Sequence, residues 1–316
     1  MSPMLIAAFF ITAGSESGTQ PLTGVRDSYP ALSPNRRTLV FHSNRSGRQA
    51  IWAADPDGSN PRILFDDPVQ GADPGTPAWS PDGRFIAFGM RPAESSDENE
   101  SEIYLVAADG TGLRRLSRAR GDDSHPAWSA SGRIYFNSAR ATPDHSAEWS
   151  RQWIDIYSMA ADGTDVRRHT DCRSVCTYPA VSPDERRIAY RAVTDSAALS
   201  WNLSPGTRNS EVFVQDLAGG LPANVSRDPA FDGWPTWSPD GRWVVFASNR
   251  GRVAHRGHIY AVRADGSDLT PLTQGPLSHV QPRFTPDGER VLVQQGAEGD
   301  NYEMGQIAVF TPRLED

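Results

Sequence analysis

The stretch Trp234-Pro235-Thr236-Trp237-Ser238-Pro239-Asp240-Gly241-Arg242-Trp243-Val244-Val245-Phe246-Ala247-Ser248-Asn249-Arg250 decides the fold. It reads as a short strand, a tight turn and a second strand. In Ser-Pro-Asp-Gly the proline presets φ near about −65°, the Asp side chain bonds its own backbone, and Gly accepts positive φ. Trp243 to Phe246 is a β-branched and aromatic run bounded by turn residues, which predicts a strand.

The pattern recurs six times, led by Pro30, Pro77, Pro126, Pro179, Pro235 and Pro282, at steps of 47, 49, 53, 56 and 47 residues. Each unit continues with a third strand ending in an Asp-Gly turn, as in Ile103 to Gly110, and a fourth such as Leu113 to Ser117. A period of this size, with four short strands and no helical periodicity, predicts an all-β propeller with four-stranded antiparallel blades. Trp79, Trp128 and Trp237 share one position with Leu32, Val181 and Phe284, which marks it as a packing site between sheets.

The P-x-W-S-P-D-G core, the Ser-Asn-Arg after the second strand and the Ala-Asp-Gly-Thr turn resemble the WD40-like PD40 repeats of TolB-like six-bladed β-propellers. The resemblance covers nearly the whole chain. It implies one of three roles: a periplasmic interaction protein, the propeller of a prolyl-oligopeptidase-type enzyme, or an oligogalacturonate lyase. No counterpart of TolB's N-terminal α/β domain is read here, so membership of a Tol–Pal complex is not expected.

The length of 316 residues suits one six-bladed propeller, assigned to residues 18–316. The net charge of −8 argues against a nucleic-acid footprint. All 31 basic residues are Arg, which excludes lysine chemistry. The apolar run Met4 to Ile11 is too short to span a bilayer. Residues 1–17 read either as a signal-peptide remnant lacking its basic region or as an N-terminal strand. In either case the N-terminal segment, with Thr19 to Gly24 as fourth strand, is expected to close the sixth blade and remove open edges. A monomer in the periplasm or outside the cell is expected. Cys172 and Cys176 form either a local disulfide or a pair of free thiols.

Long inserts join the second and third strands of blades three to five: Ala139 to Trp153 with Trp149 and Trp153, Thr194 to Asn209 with Trp201, and Gly251 to Gly257. They fall on the face opposite the short repeated turns, so the functional site is expected there, around the channel mouth. The residues before the leading prolines, Tyr29, Thr76, His125, Tyr178, Trp234 and Gln281, should ring that mouth, with Asp27, Asp73, Asp123, Asp232 and His279 just upstream. Aromatics with a few carboxylates and imidazoles suit a protein, peptide or small-ligand pocket. The bland reading is that the acids cap turns and the aromatics seal the channel.

Catalysis has thin support. Gly14-Ser15-Glu16-Ser17-Gly18 has Glu where a G-x-S-x-G elbow needs Ser. The resemblance to oligogalacturonate lyases implies a divalent metal such as Ca or Mn in the channel. His125, His279 and Gln281 are the candidate ligands. The leading expectation is therefore a non-catalytic binding propeller, and the alternative is a metal-dependent polysaccharide lyase.

Overall fold

Six four-stranded sheets stand in order around a ring in the computed structural model, which describes residues 11–12, 25–67, 72–95, 97, 100–195, 209–251, 257–296 and 305–314. The innermost strands are Asp27–Leu32, Gly75–Trp79, Asp123–Trp128, Cys176–Val181, Asp232–Trp237 and Ser278–Phe284. Each touches the next, and the last touches the first. The sheets of blades one to five are antiparallel throughout and run in chain order from the axis outward. The Ser-Pro-Asp-Gly turns form as their chemistry dictates. In blade two Ser80 Oγ donates to Asp82 Oδ1 at 2.6 Å, and the Phe85 N–H donates back to Ser80 Oγ at 2.9 Å.

The sixth blade differs. Its strands Ser278–Phe284, Val291–Gly296 and Gln306–Phe310 are joined by Ile11–Thr12, which pairs with the third strand in parallel. The N-terminal segment thus contributes the outer strand, but through different residues from the expected Thr19 to Gly24, which lie outside the described residues. Arg26 and Gly305 form a further parallel bridge between the first and sixth blades.

Packing between blades repeats as faithfully as the strands. Trp79 Nε1 donates to the Ala31 carbonyl of the preceding blade at 3.2 Å, Trp128 to Ala78 at 3.1 Å and Trp237 to Ala180 at 3.0 Å. Leu32, Val181 and Phe284 hold the same place without a donor. The Ser-Asn-Arg motif is also structural. Asn44 and Asn249 accept the backbone N–H of Arg26 and Phe231, just before each first strand, both at 2.8 Å. The arginines lie over aromatic rings of the second and third strands: Arg45 over Phe41 and Trp52, Arg250 over Phe246 and Tyr260.

The Ala-Asp-Gly turns press on the preceding blade. A Cβ on Gly110, whose φ is +85°, would lie 2.1 Å from the Leu64 carbonyl oxygen. Gly110→Ala should therefore cost about 2 kcal/mol or more, through both backbone strain and a clash with a main-chain atom that cannot swing aside. Chemical denaturation of the two proteins checks this; equal stability would contradict the blade packing.

Candidate functional site

Every first strand carries the same irregularity. Its register shifts between Ser28 and Ala31, Gly75 and Ala78, Ser124 and Ala127, Thr177 and Ala180, Gly233 and Thr236, and Val280 and Arg283. Inside each shift sits the residue before the leading proline. Tyr29, Thr76, His125, Tyr178, Trp234 and Gln281 all have left-handed backbones, with φ between 51° and 58°. None is glycine, and proline disfavours the right-handed helical region in the residue before it. Each such residue costs about 1–3 kcal/mol and persists only where the surroundings enforce it. Here the bulge brings all six side chains to the axis, where with their prolines and Arg283 they line a cavity of about 50 Å³.

Four of the six meet across that axis. The His125 ring lies 4.3 Å from Tyr178, edge-on, and 6.0 Å from Tyr29; Tyr178 lies 5.6 Å from Trp234. Burial and the neighbouring Tyr178 push the Tyr29 hydroxyl well above its ordinary pKa, while the positive charge of Arg26 works against the shift. Gln281 accepts the Tyr29 backbone N–H through Oε1 at 2.8 Å, tying blade six to blade one. Arg191, 1% exposed, stacks over Tyr178 at 5.2 Å and over Phe231 at 5.8 Å. Sequence reasoning missed Arg191, which lies in a second strand and carries no motif.

His125 is held neutral in a polar network. Ser124 Oγ lies 2.7 Å from Asp122 Oδ2 and accepts from Asn137 Nδ2 at 2.8 Å. His125 Nδ1 lies 3.0 Å from the same hydroxyl, within hydrogen-bond reach. Burial, reinforced by Arg191, lowers His125 to about 3, and burial raises Asp122 to about 7.

The upstream acids are not where they were expected to act. Asp27 is buried against Ser43 and Arg45, Asp123 against Arg140 at 2.7 Å, and Asp232 against Arg250 at 3.1 Å. They close each first strand onto the residue after its second strand, and burial outweighs Arg250 in raising Asp232 to about 6. Asp73 is exposed and lines no part of the cavity. His279 occupies the place that Asp27, Asp123 and Asp232 hold in their blades, two residues before the bulge. It therefore faces its own sheet, beside Gln295 and 6.2 Å from His258, not the cavity. His125 and Gln281 line the cavity, so the three candidate metal ligands do not converge, and no group of three His, Cys, Asp or Glu suited to a metal occurs among the described residues.

The blade-three insert is packed down. Trp149 opens a short 3-10 helix, Trp149–Arg151, and sits against Ala139, Ile154, Val175 and Val193; the Trp153 N–H donates to Thr142 Oγ1 at 3.1 Å. The Trp149 side chain anchors the loop, and the backbone of Trp153 ties it to Thr142. Trp201 lies outside the described residues. Cys172 and Cys176 are joined as a disulfide. No helix among the described residues is long and apolar enough to cross a membrane.

Fold and site together define a TolB-like six-bladed β-propeller with an aromatic-lined axial cavity. TolB from Acinetobacter baumannii superposes with a TM-score of 0.60 at 21% identity, over 91% of this chain and 57% of that one. An oligogalacturonate lyase in complex with manganese gives 0.53 at 12%, over 92% and 90%. Dipeptidyl-peptidase 5 of Porphyromonas endodontalis is 23% identical over 270 residues, 72% of this chain and 37% of its own length. No family model matches. The chain thus spans little more than a third of that peptidase, and the three likenesses together speak for the fold alone.

His125 gives a signed pH dependence. Its folded pKa lies below that of an unfolded histidine, so unfolding takes up a proton between about pH 6.5 and the folded value, and the stability it contributes is lost as pH falls through that window. In His125→Gln, unfolding free energy should fall less steeply between pH 6 and pH 4, by up to about 1.4 kcal/mol per pH unit. Denaturant titrations at several pH values measure it; parallel curves would contradict a buried neutral imidazole.

Proposed function

We propose that the chain is a non-catalytic binding propeller that presents its channel mouth to a protein or peptide partner in the periplasm or at the cell surface. The observation that carries this reading is the ring of six left-handed residues. Strain of this kind is retained where it presents side chains for a purpose, and six side chains of five kinds on a repeated backbone are what recognition requires. The cavity of about 50 Å³ has room for three or four waters, or for one small group of a larger partner. The Cys172–Cys176 disulfide supports an oxidising compartment. The lyase alternative is weakened by the position of His279, which leaves His125 and Gln281 without a third ligand at the mouth.

The test uses a photo-cross-linking residue in place of Thr76 at the mouth, and another in place of Arg84 on the turn face. In bacterial envelope extract, position 76 should give a discrete adduct that excess unmodified protein competes away, and position 84 should not. Equal adducts from both faces would overturn the choice of site. Stoichiometric manganese or calcium in the purified protein, lost in His125→Ala, would overturn the non-catalytic reading in favour of the lyase.

A further inference from the structure

The residue after the leading proline is Ala31, Ala78, Ala127 and Ala180 in blades one to four and Thr236 in blade five. In blade six it is Arg283. The five small residues do not line the axial cavity; Arg283 does. It is partly buried, and among the described residues its side chain has no hydrogen bond and no ion pair. Burial acts on its pKa in the downward direction, and among the described residues no carboxylate pairs with it. In a chain of net charge −8, where Arg45, Arg140 and Arg250 each hold an Asp, an uncompensated guanidinium in a cavity is a cost without a structural return.

A second donor points the same way. Gln281 is 4% exposed and lines the same cavity. Its Oε1 is fixed by the Tyr29 N–H, which leaves Nε2 as a buried amide donor with no partner. Arg26, close enough to Tyr29 to act on its hydroxyl, adds positive potential on this side of the mouth. The acids of the neighbourhood are committed elsewhere: Asp27 to Arg45 and Ser43, Asp122 to Ser124 and Asn137.

Resting on the reading of the mouth as a binding site, we propose that this cavity is a receptor for one carboxylate carried by a peptide segment of the partner. The Arg283 guanidinium supplies the charge and donates to one oxygen, and the Gln281 Nε2 amide donates to the other. The cavity takes a carboxylate on a short stem, and with the mouth read as a peptide-binding site that carboxylate comes from a peptide: either its C-terminus or an Asp or Glu side chain. A guanidinium with an adjacent amide donor matches the two oxygens of a carboxylate.

The experiment titrates the full chain with three peptides and one sugar, reading tryptophan fluorescence and heat. N-acetyl-Gly-Ala carries a free C-terminus, N-acetyl-Ala-Asp-amide an acidic side chain, N-acetyl-Gly-Ala-amide neither, and D-galacturonate the competing chemistry. At least one acid peptide should bind at least about tenfold more tightly than the neutral amide, and more weakly as salt rises; which one identifies the source. Arg283→Ala should lose about tenfold or more in that affinity while its thermal midpoint stays level or rises, since Ala is the residue of four other blades. Arg283→Lys should keep part of the affinity and Arg283→Gln should not, which decides the matter even if the alanine variant folds poorly. Equal binding of acid and amide, undiminished binding by Arg283→Ala and Arg283→Gln, tighter binding of galacturonate than of either acid peptide, or no binding of either acid would each overturn the proposal. If these probes fail while cross-linking from position 76 persists, the carboxylate assignment falls alone; if the cross-link is absent, the mouth itself is the wrong place.

Discussion

The conformation of the residue before each leading proline governs the rest. An inner strand left regular would send alternate side chains between blades and leave the axis lined by backbone and small groups. A left-handed residue inserted at each bulge breaks that alternation once per blade. It turns one side chain to the axis without disturbing the next residues, which return to the inter-blade faces. Ala31 packs with Val40 and Ile86 between blades one and two while Tyr29, two residues earlier, reaches across to blades three to five. The backbone cost is met by devices repeated around the ring: tryptophans bonded to the preceding blade, Asn and Arg after the second strand, and serine-anchored turns.

The division of labour among charged groups follows from the same geometry. Positions two residues before the bulge face their own sheet, so an acid placed there is consumed by the Arg that ends the second strand. Positions at the bulge face the axis and carry no carboxylate in any blade. The mouth is therefore an aromatic surface with hydroxyl, amide and neutral imidazole groups, and Arg283 is the strong charge at its lining. On the proposed reading such a surface would recognise by shape and a single charged contact.

The repeat made the blade number, the strand order and the ring of pre-proline positions legible in the chain, because turn chemistry and a period near fifty residues are local signals. The packing role of Trp79, Trp128 and Trp237 was legible too, from the apolar residues that replace them. The sense in which Asp27, Asp123, Asp232 and His279 point was not. Facing depends on where the bulge falls, and a bulge is one extra residue that leaves no composition signal. Aligning His279 with the three acids would have shown that all four share one fate. Arg283 was also within reach, as the one charged residue in a column of Ala and Thr. The closing strand at Ile11–Thr12 was harder, since parallel pairing of two residues has no sequence pattern to announce it.

The convergence of blades one and three on the axis is most directly measured by a double-mutant cycle on Tyr29 and His125, 96 positions apart in the chain with ring centroids 6.0 Å apart. With Tyr29→Ala, His125→Ala and the pair, unfolding free energies should be non-additive by about 0.5 kcal/mol or more, as expected for side chains in contact. Additivity within error would mean that the two rings do not meet, and that the pre-proline side chains do not form one mouth.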